Sequence, residues 1–229
     1  MVHVVDLLSL YKEQFLSYLQ GEKAFSIHTL KAYGADLDLW IYFIKSNFPS
    51  LGNLENLQLE HLEQFSCYLH KKGESTSSTL RRLMALKSFF AFLYREEILA
   101  SNPAKFLVLP SAWQKVASFL DIGEIARLLQ AADTSSWEGK RDQALMVLMY
   151  ATGVRVSELC ALNLTDLCEK EMRVKGKGGK ERVVPVSPVA VMLVDAYLAA
   201  KEIGDKKREA LFVSLKGKRL TRFSVWKQI

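Results

Sequence analysis

The strongest constraint on this fold is an interruption. Residues 103–118 (PAKFLVLPSAWQKVAS) carry two prolines and no helical period, and they lie between two long periodic stretches. Proline removes a backbone donor and turns the residue before it away from helix. The chain therefore reads as two domains joined by a linker, and 229 residues suffice for two modest ones. We place the first domain at 1–108, the linker at 109–119 and the second domain at 120–229.

Charge divides at the same place. Residues 1–110 hold 11 Lys/Arg and 11 Asp/Glu, whereas residues 111–229 hold 20 and 14 and so carry the whole net charge of +6. From Lys170 onward the count is 15 basic to 6 acidic. Such asymmetry points to a polyanion, either nucleic acid or an acidic membrane surface, and charge alone leaves a merely basic, well-solvated domain equally open. The hydrophobic share of 49% and charged share of 24% exclude a disordered chain or a fibre. No apolar run approaches the roughly 18 residues of a membrane helix, and the N-terminus reads as an amphipathic helix, not a signal peptide. Cys67, Cys160 and Cys168 are odd in number and lack CxxC spacing, which fits a reducing cytosol and no cysteine zinc site.

Periodicity gives a mainly α chain with one small β-hairpin, an α+β class. Helices are expected at 4–19, from a Ser26 cap through the stripe Leu30, Tyr33, Leu37, Trp40 and Ile44, from about Gln58 to His70 before Gly73, and from the Ser/Thr cluster at 75–79 to Asn102-Pro103. In the second half, Asp121 and Glu124 have the spacing of a capping box. Helices are expected at about 122–132 and 139–151, with Gly153 as the stop, and a short one at 155–161. Strands at 171–176 and 181–186 flank a Gly178-Gly179 turn that permits positive φ. A helix at 188–203, a short strand and basic turn at 211–220, and a last, loosely packed helix capped by Thr221 complete the reading.

Two segments carry chemistry. The four histidines, His3, His28, His61 and His70, all precede the linker, and none has metal-pair spacing. The stretch Gly176 to Lys180 (GKGGK) is too short for a nucleotide phosphate loop, and Glu181 stands where Ser or Thr must bind magnesium. A basic glycine hairpin can still approach a phosphate backbone closely. At 151–159 (ATGVRVSEL) an apolar helix stops at Gly153 and Arg155 follows at once inside a new apolar turn. It is either a surface arginine after a helix stop or a planar fork suited to a phosphate.

The segment TGVRVSEL (152–159) resembles the first catalytic-arginine box of the tyrosine recombinases, the phage-integrase and Xer family. VKGKGGKERVVP (174–185) resembles that family's β-hairpin with its catalytic lysine, 22 residues beyond Arg155. SIHTLKAYGADL (26–37), STLRRLMALKSFFAFL (78–93) and NPA (102–104) resemble its N-terminal helices and linker. The ordered set of five spans the chain and is most similar to Xer-type members.

The resemblance implies an N-terminal SAM-like helical core-binding domain and a DNA breaking-rejoining catalytic domain that together clamp duplex DNA. It implies attack by a tyrosine on the scissile phosphate to give a 3′-phosphotyrosyl link, with no metal or other cofactor. Arginines stabilise the non-bridging oxygens, and the hairpin lysine protonates the leaving 5′-oxygen. By position Arg155 matches the first arginine, Lys177 the lysine, and Glu158 a supporting acid; a helix-surface carboxylate is the alternative for Glu158. Lys31, Arg81, Arg82 and Lys87 lie on helices that face DNA in the family, and Lys175, Lys180 and Arg182 lie on the hairpin. Each is a candidate phosphate contact or a solvated charge. Further implications are a tetramer on two DNA sites, a paralogous recombinase and a DNA translocase as partners, a cytoplasmic location, and roles in chromosome partition and cell division or in integration of mobile DNA.

One departure matters. The family's later His-x-x-Arg box, its following His or Trp, and its nucleophilic tyrosine do not occur in these 229 residues. After Lys177 the only tyrosine is Tyr197, within an expected amphipathic helix, so it is expected to be structural. The expectation is a C-terminally truncated recombinase that binds DNA without cleaving it alone. The alternatives are a non-catalytic regulatory short form and an unrelated basic helical protein.

Overall fold

The computed structural model describes residues 4–111, 119–200 and 209–228, with Lys177 described in its backbone only. The chain divides into two compact units, Met1–Val116 and Ala117–Ile229. Of the linker expected at 109–119, residues 112–118 lie outside the described residues. No helix among the described residues is long and apolar enough to cross a membrane.

The first unit is built from four helices: α1 (Val4–Gly21), α2 (Ile27–Asn47), α3 (Leu59–Lys71) and α4 (Thr76–Arg95). Each buries the face its periodicity marks. On α2 the stripe Leu30, Leu37, Trp40 and Ile44 is buried, and Tyr33 packs against it half-buried. Ser26 and Ser75 cap α2 and α4, their hydroxyls accepting from Thr29 N at 3.3 Å and Ser78 N at 3.2 Å. The centre of the core is aromatic. Trp40 meets Phe65 edge-on at 5.2 Å, and Phe15 meets Phe89 at 5.5 Å. Burial of each such ring contributes roughly 1.5–3 kcal/mol.

Helix α4 ends seven residues earlier than the proline signal suggests. Glu97 takes a positive φ of 57°. The amide of Glu97 bonds Tyr94 O at 3.2 Å, and that of Ile98 bonds Leu93 O at 2.9 Å. This is the two-bond Schellman closure, which also ends α3 at Gly73. Leu99 then buries itself in the core, which holds the turn even though its left-handed residue is not glycine.

The second unit holds α5 (Ile122–Gln130), α6 (Trp137–Thr152), α7 (Val156–Ala161), strands β1 (Glu171–Lys175) and β2 (Glu181–Pro185), α8 (Pro188–Ala200) and α9 (Arg222–Gln228). Asp121 and Glu124 form the expected reciprocal cap, at 2.7 and 2.9 Å. Residues 201–203 of the expected 188–203 helix lie outside the described residues. The strands pair antiparallel, with Val174 opposite Arg182 and Lys175 opposite Glu181. Met172 and Val174 face inward, joining Leu145, Leu148, Leu159, Val194 and Phe212 in one core. α6 packs along α8, which carries Tyr197 into that core.

The strand expected at 211–220 does not form as a ladder. Leu211 N bonds Leu162 O at 3.0 Å, and across the turn Leu220 N bonds Phe212 O at 3.1 Å, so the pairing stays at isolated bridges. The basic turn does form: Gly217 (φ 66°) donates its amide to Ser214 O at 2.7 Å. In α9, Val225 is buried, whereas Phe223 and Trp226 are 69% and 76% exposed beside Met149 and Val156.

Candidate functional site

The site begins where α6 stops. Gly153 sits at φ 62°, and its amide closes on Met149 O at 2.9 Å. Val154 and Leu159 are buried on either side of the turn. They fix the backbone and leave the Arg155 side chain 73% exposed. Glu158, one helical turn on, is pulled inward to 5% exposure.

The Glu158 carboxylate is fully occupied. Its Oε2 accepts from the Arg155 amide at 2.9 Å, and its Oε1 accepts from Arg155 Nη1 at 3.0 Å. From the hairpin, Arg182 Nη1 and Nη2 donate to Oε1 and Oε2 at 2.9 and 2.8 Å. A carboxylate offers about four acceptor sites, and all are taken. The parallel pair from Arg182 is the planar bidentate form, the strongest common protein ion pair. The Arg182 hydrogen bonds, followed by those from Arg155, hold the Glu158 carboxyl down at about 2 against the opposing effect of burial. Two guanidinium groups share one carboxylate, so one positive charge is left over, and Arg155 holds most of the exposed donors.

Gly176 lies beside this pair. A Cβ there would lie 3.3 Å from Arg182 Nη1 and 3.6 Å from Glu158 Oε1. The hairpin then turns through Gly178 and Gly179 at φ 78° and 76°, with Gly176 N bonded to Lys180 O at 2.7 Å. Lys177 opens this turn. Lys180 is exposed, and Lys175 forms an exposed pair with Glu181 at 3.3 Å. The fold therefore brings Arg155, Glu158 and Arg182 into direct contact and sets the backbone of Lys177 on the same hairpin.

The candidates in the first unit differ in freedom. Lys31 is exposed. Arg81 is 43% exposed, pairs with Asp36 and reaches Ala32 O at 3.4 Å. Arg82 is 18% exposed and is engaged by Glu74 at 2.9 Å and Asp36 at 3.9 Å. Lys87 donates to Leu107 O at 3.1 Å. Asp36 is a residue that sequence reasoning passed over. It is buried in α2, and desolvation raises its pKa despite Arg81 and Arg82. Its signal was present: it stands three residues after Tyr33 and four before Trp40, inside the apolar stripe.

Two further arginines proved structural. Arg141 is buried, bonds Asp142 at 2.8 Å and Val213 O at 3.1 Å, and lies over the Trp137 ring. Arg219 gathers Leu162 O and Cys160 O at 2.7 and 3.2 Å at the end of α7. Tyr197 is fully buried and stacks on Phe212. Its hydroxyl donates to Leu211 O at 3.3 Å and accepts from Val213 N at 3.4 Å, and burial pushes its pKa above that of an ordinary phenol.

Comparison with known proteins agrees with this architecture. The phage integrase family matches residues 118–229, and the phage integrase N-terminal SAM-like domain matches residues 13–97. The tyrosine recombinase XerC of Pseudomonas syringae pv. tomato is 34% identical over 210 residues, covering 91% of this chain and 70% of that protein. The chain belongs to the tyrosine recombinases of the phage integrase family. A second relative, XerD of Staphylococcus saprophyticus, is 32% identical over 222 residues, covering 95% of this chain and 75% of its own length. Among solved structures, the lambda integrase tetramer bound to a Holliday junction superimposes with a TM-score of 0.72 at 19% identity, over 96% of this chain and 61% of that one. That likeness extends the family's α+β fold across both units.

Proposed function

We propose that this chain binds duplex DNA and contributes the arginine and hairpin part of a site-specific recombinase centre, without cleaving DNA on its own. The observation that carries this reading is Arg155: an exposed guanidinium whose backbone amide and Nη1 are both held by a buried, ionised Glu158. A guanidinium fixed in this way can meet the charge developing on a phosphate with little reorganisation. In this reading Arg155 stabilises the non-bridging oxygens, Lys177 donates a proton to the leaving 5′-oxygen, and Glu158 positions Arg155. Lys31 and Arg81 in the first unit, and Lys175 and Lys180 on the hairpin, serve as phosphate contacts.

Tyr197 cannot supply the nucleophile in this conformation, since its hydroxyl is buried in the core and already bonded. In this reading cleavage draws on a tyrosine and a His-x-x-Arg box from outside these 229 residues. The second reading is a non-catalytic regulator that occupies recombination sites. In either case the chain acts in the cytoplasm, in assemblies of recombinase subunits on two DNA sites, with a paralogous recombinase and a DNA translocase as further partners. Both chromosome dimer resolution and integration of mobile DNA stay open as the process served.

A mobility-shift titration on duplex DNA tests the binding. The shift should weaken as salt rises, by about 0.9 in log K per log salt for each phosphate neutralised. No shift at low salt overturns the proposal. A nicked suicide substrate tests the chemistry, and a covalent adduct formed by this chain alone would refute the absence of cleavage.

A further inference from the structure

We propose that Arg182 is a positioning residue: its two-pronged grip on Glu158 fastens the hairpin to the turn that carries Arg155. The inference rests on the DNA-binding reading above and assigns Arg182 a different task from the phosphate contact expected from sequence.

Three observations support it. First, the donors are committed. Both terminal nitrogens of Arg182 bond the two oxygens of one carboxylate at 2.9 and 2.8 Å. A phosphate could claim them only by breaking two charge-assisted bonds and leaving a buried carboxylate short of donors, which costs more than an ordinary hydrogen bond. Arg155 is the opposite case, with one side-chain bond to Glu158 and most of its guanidinium in solvent.

Second, β2 is tied to β1 by its ladder and at its end by buried Val186, but its own side chains add little apolar anchoring. β1 is held by buried Met172 and Val174, but β2 places only half-buried Val184 against the core, while Val183 is 60% exposed. Arg182 crosses from β2 to α7, joining residues 24 apart in sequence. It supplies the polar anchor where apolar burial is thin. Third, the backbone makes room for the clamp. A Cβ at Gly176, at the base of the turn that bears Lys177, would stand 3.3 Å from Arg182 Nη1 and 3.6 Å from Glu158 Oε1, so a residue without one leaves the pair uncrowded. The pair sits directly beneath the hairpin turn. Loosening it frees Arg155 from its buttress and the hairpin from α7 at the same time.

A direct phosphate contact and a positioning role predict opposite responses to conservative changes. Anisotropy of a labelled duplex of random sequence would be measured across a salt series for the wild-type chain, Arg155→Ala, Arg182→Ala, Arg182→Lys, Glu158→Gln and the Arg155→Ala/Arg182→Ala pair. Lysine keeps the charge but not the fork. Under the proposal, Arg182→Lys therefore loses as much affinity as Arg182→Ala. Glu158→Gln also weakens binding, even though it removes a negative charge. The double variant is no weaker than about the worse of the two single variants. Rescue by Arg182→Lys, tighter binding by Glu158→Gln, or multiplying losses with a further drop of about 0.9 in salt slope would each overturn it.

A second readout needs no DNA. Amide exchange across the β1–β2 ladder should be about tenfold faster in Arg182→Lys than in the wild-type chain. Unchanged exchange overturns the proposal even if the DNA-binding reading holds. A wild-type chain that fails to bind DNA, together with faster exchange in Arg182→Lys, would sink the DNA-binding reading and leave the clamp standing.

Discussion

Glu158→Gln preserves the shape of the side chain and removes the charge that two arginines share. Its cost can be worked from the carboxyl's displacement. The group titrates at about 2 in the fold against an ordinary 4.5, chiefly because Arg182 and then Arg155 donate to it. At about 1.4 kcal/mol per pH unit, that preference for the ionised form corresponds to roughly 3 kcal/mol. Arg155 is 73% exposed and Arg182 42%, so solvent screens part of the attraction and roughly 2 kcal/mol is the better expectation. The amide also turns an NH₂ group toward donors, which works against the same bonds. Because the folded pKa lies below the unfolded one, the unfolded chain binds more protons between about 4.5 and 2. The contribution is complete above that window and is lost as pH falls through it. Urea denaturation of both chains across a pH series provides the measurement. The gap should be about 2 kcal/mol at neutral pH and should close toward zero near pH ~2. A gap that stays constant with pH would mean that the carboxylate's charge is not what holds the site, and the reasoning would fail.

Three other substitutions test the fold of the two units. Gly139→Ala should destabilise the second unit by at least about 2 kcal/mol in thermal unfolding, because a Cβ at this position in α6 would overlap the Asp133 backbone carbonyl. Ordinary helix propensity, which favours Ala over Gly by roughly 1 kcal/mol, predicts the opposite sign. Glu97→Gly should stabilise the first unit by roughly 0.5–1 kcal/mol, since it relieves a φ of 57° at the end of α4 while keeping the Ile98-to-Leu93 bond; no gain in denaturation midpoint would count against that account. Asp36→Asn should leave the denaturation midpoint near neutral pH unchanged or raise it, because burial disfavours the carboxylate's charge more than Arg81 and Arg82 favour it; a clear loss of stability would show that the ion pair outweighs the burial.

Much of the fold was legible because the determinants were local. The α2 stripe, the Ser26 and Asp121 caps, the Gly153 stop and the Gly178-Gly179 turn each act within a few residues, and each formed where its chemistry required. The end of α4 was not legible. Nothing in Glu97 announces a left-handed conformation, which is imposed by Leu99 reaching the core. The pairing of Leu211 was also hidden, since its partner Leu162 lies some fifty residues away on chain without period.

The candidate site shows the same division. Composition marked the hairpin as basic but treated Lys175, Lys180 and Arg182 alike. Strand parity separates them. Residues directly opposite in an antiparallel pair share a face. Val174 is buried and stands opposite Arg182, whereas Lys175 stands opposite Glu181 on the outer face. A two-residue turn at Gly178-Gly179 would set Val174 opposite Val183, so the placement of Arg182 on the core face depends on the three-residue turn 177–179 that the structure forms. An inward arginine needs a carboxylate, and its strand offers none facing the core. Glu158, one helical turn beyond Arg155, is where the fold provides it. The motif that supplies an exposed arginine thus also supplies the anchor for the hairpin, and the same carboxylate couples the two.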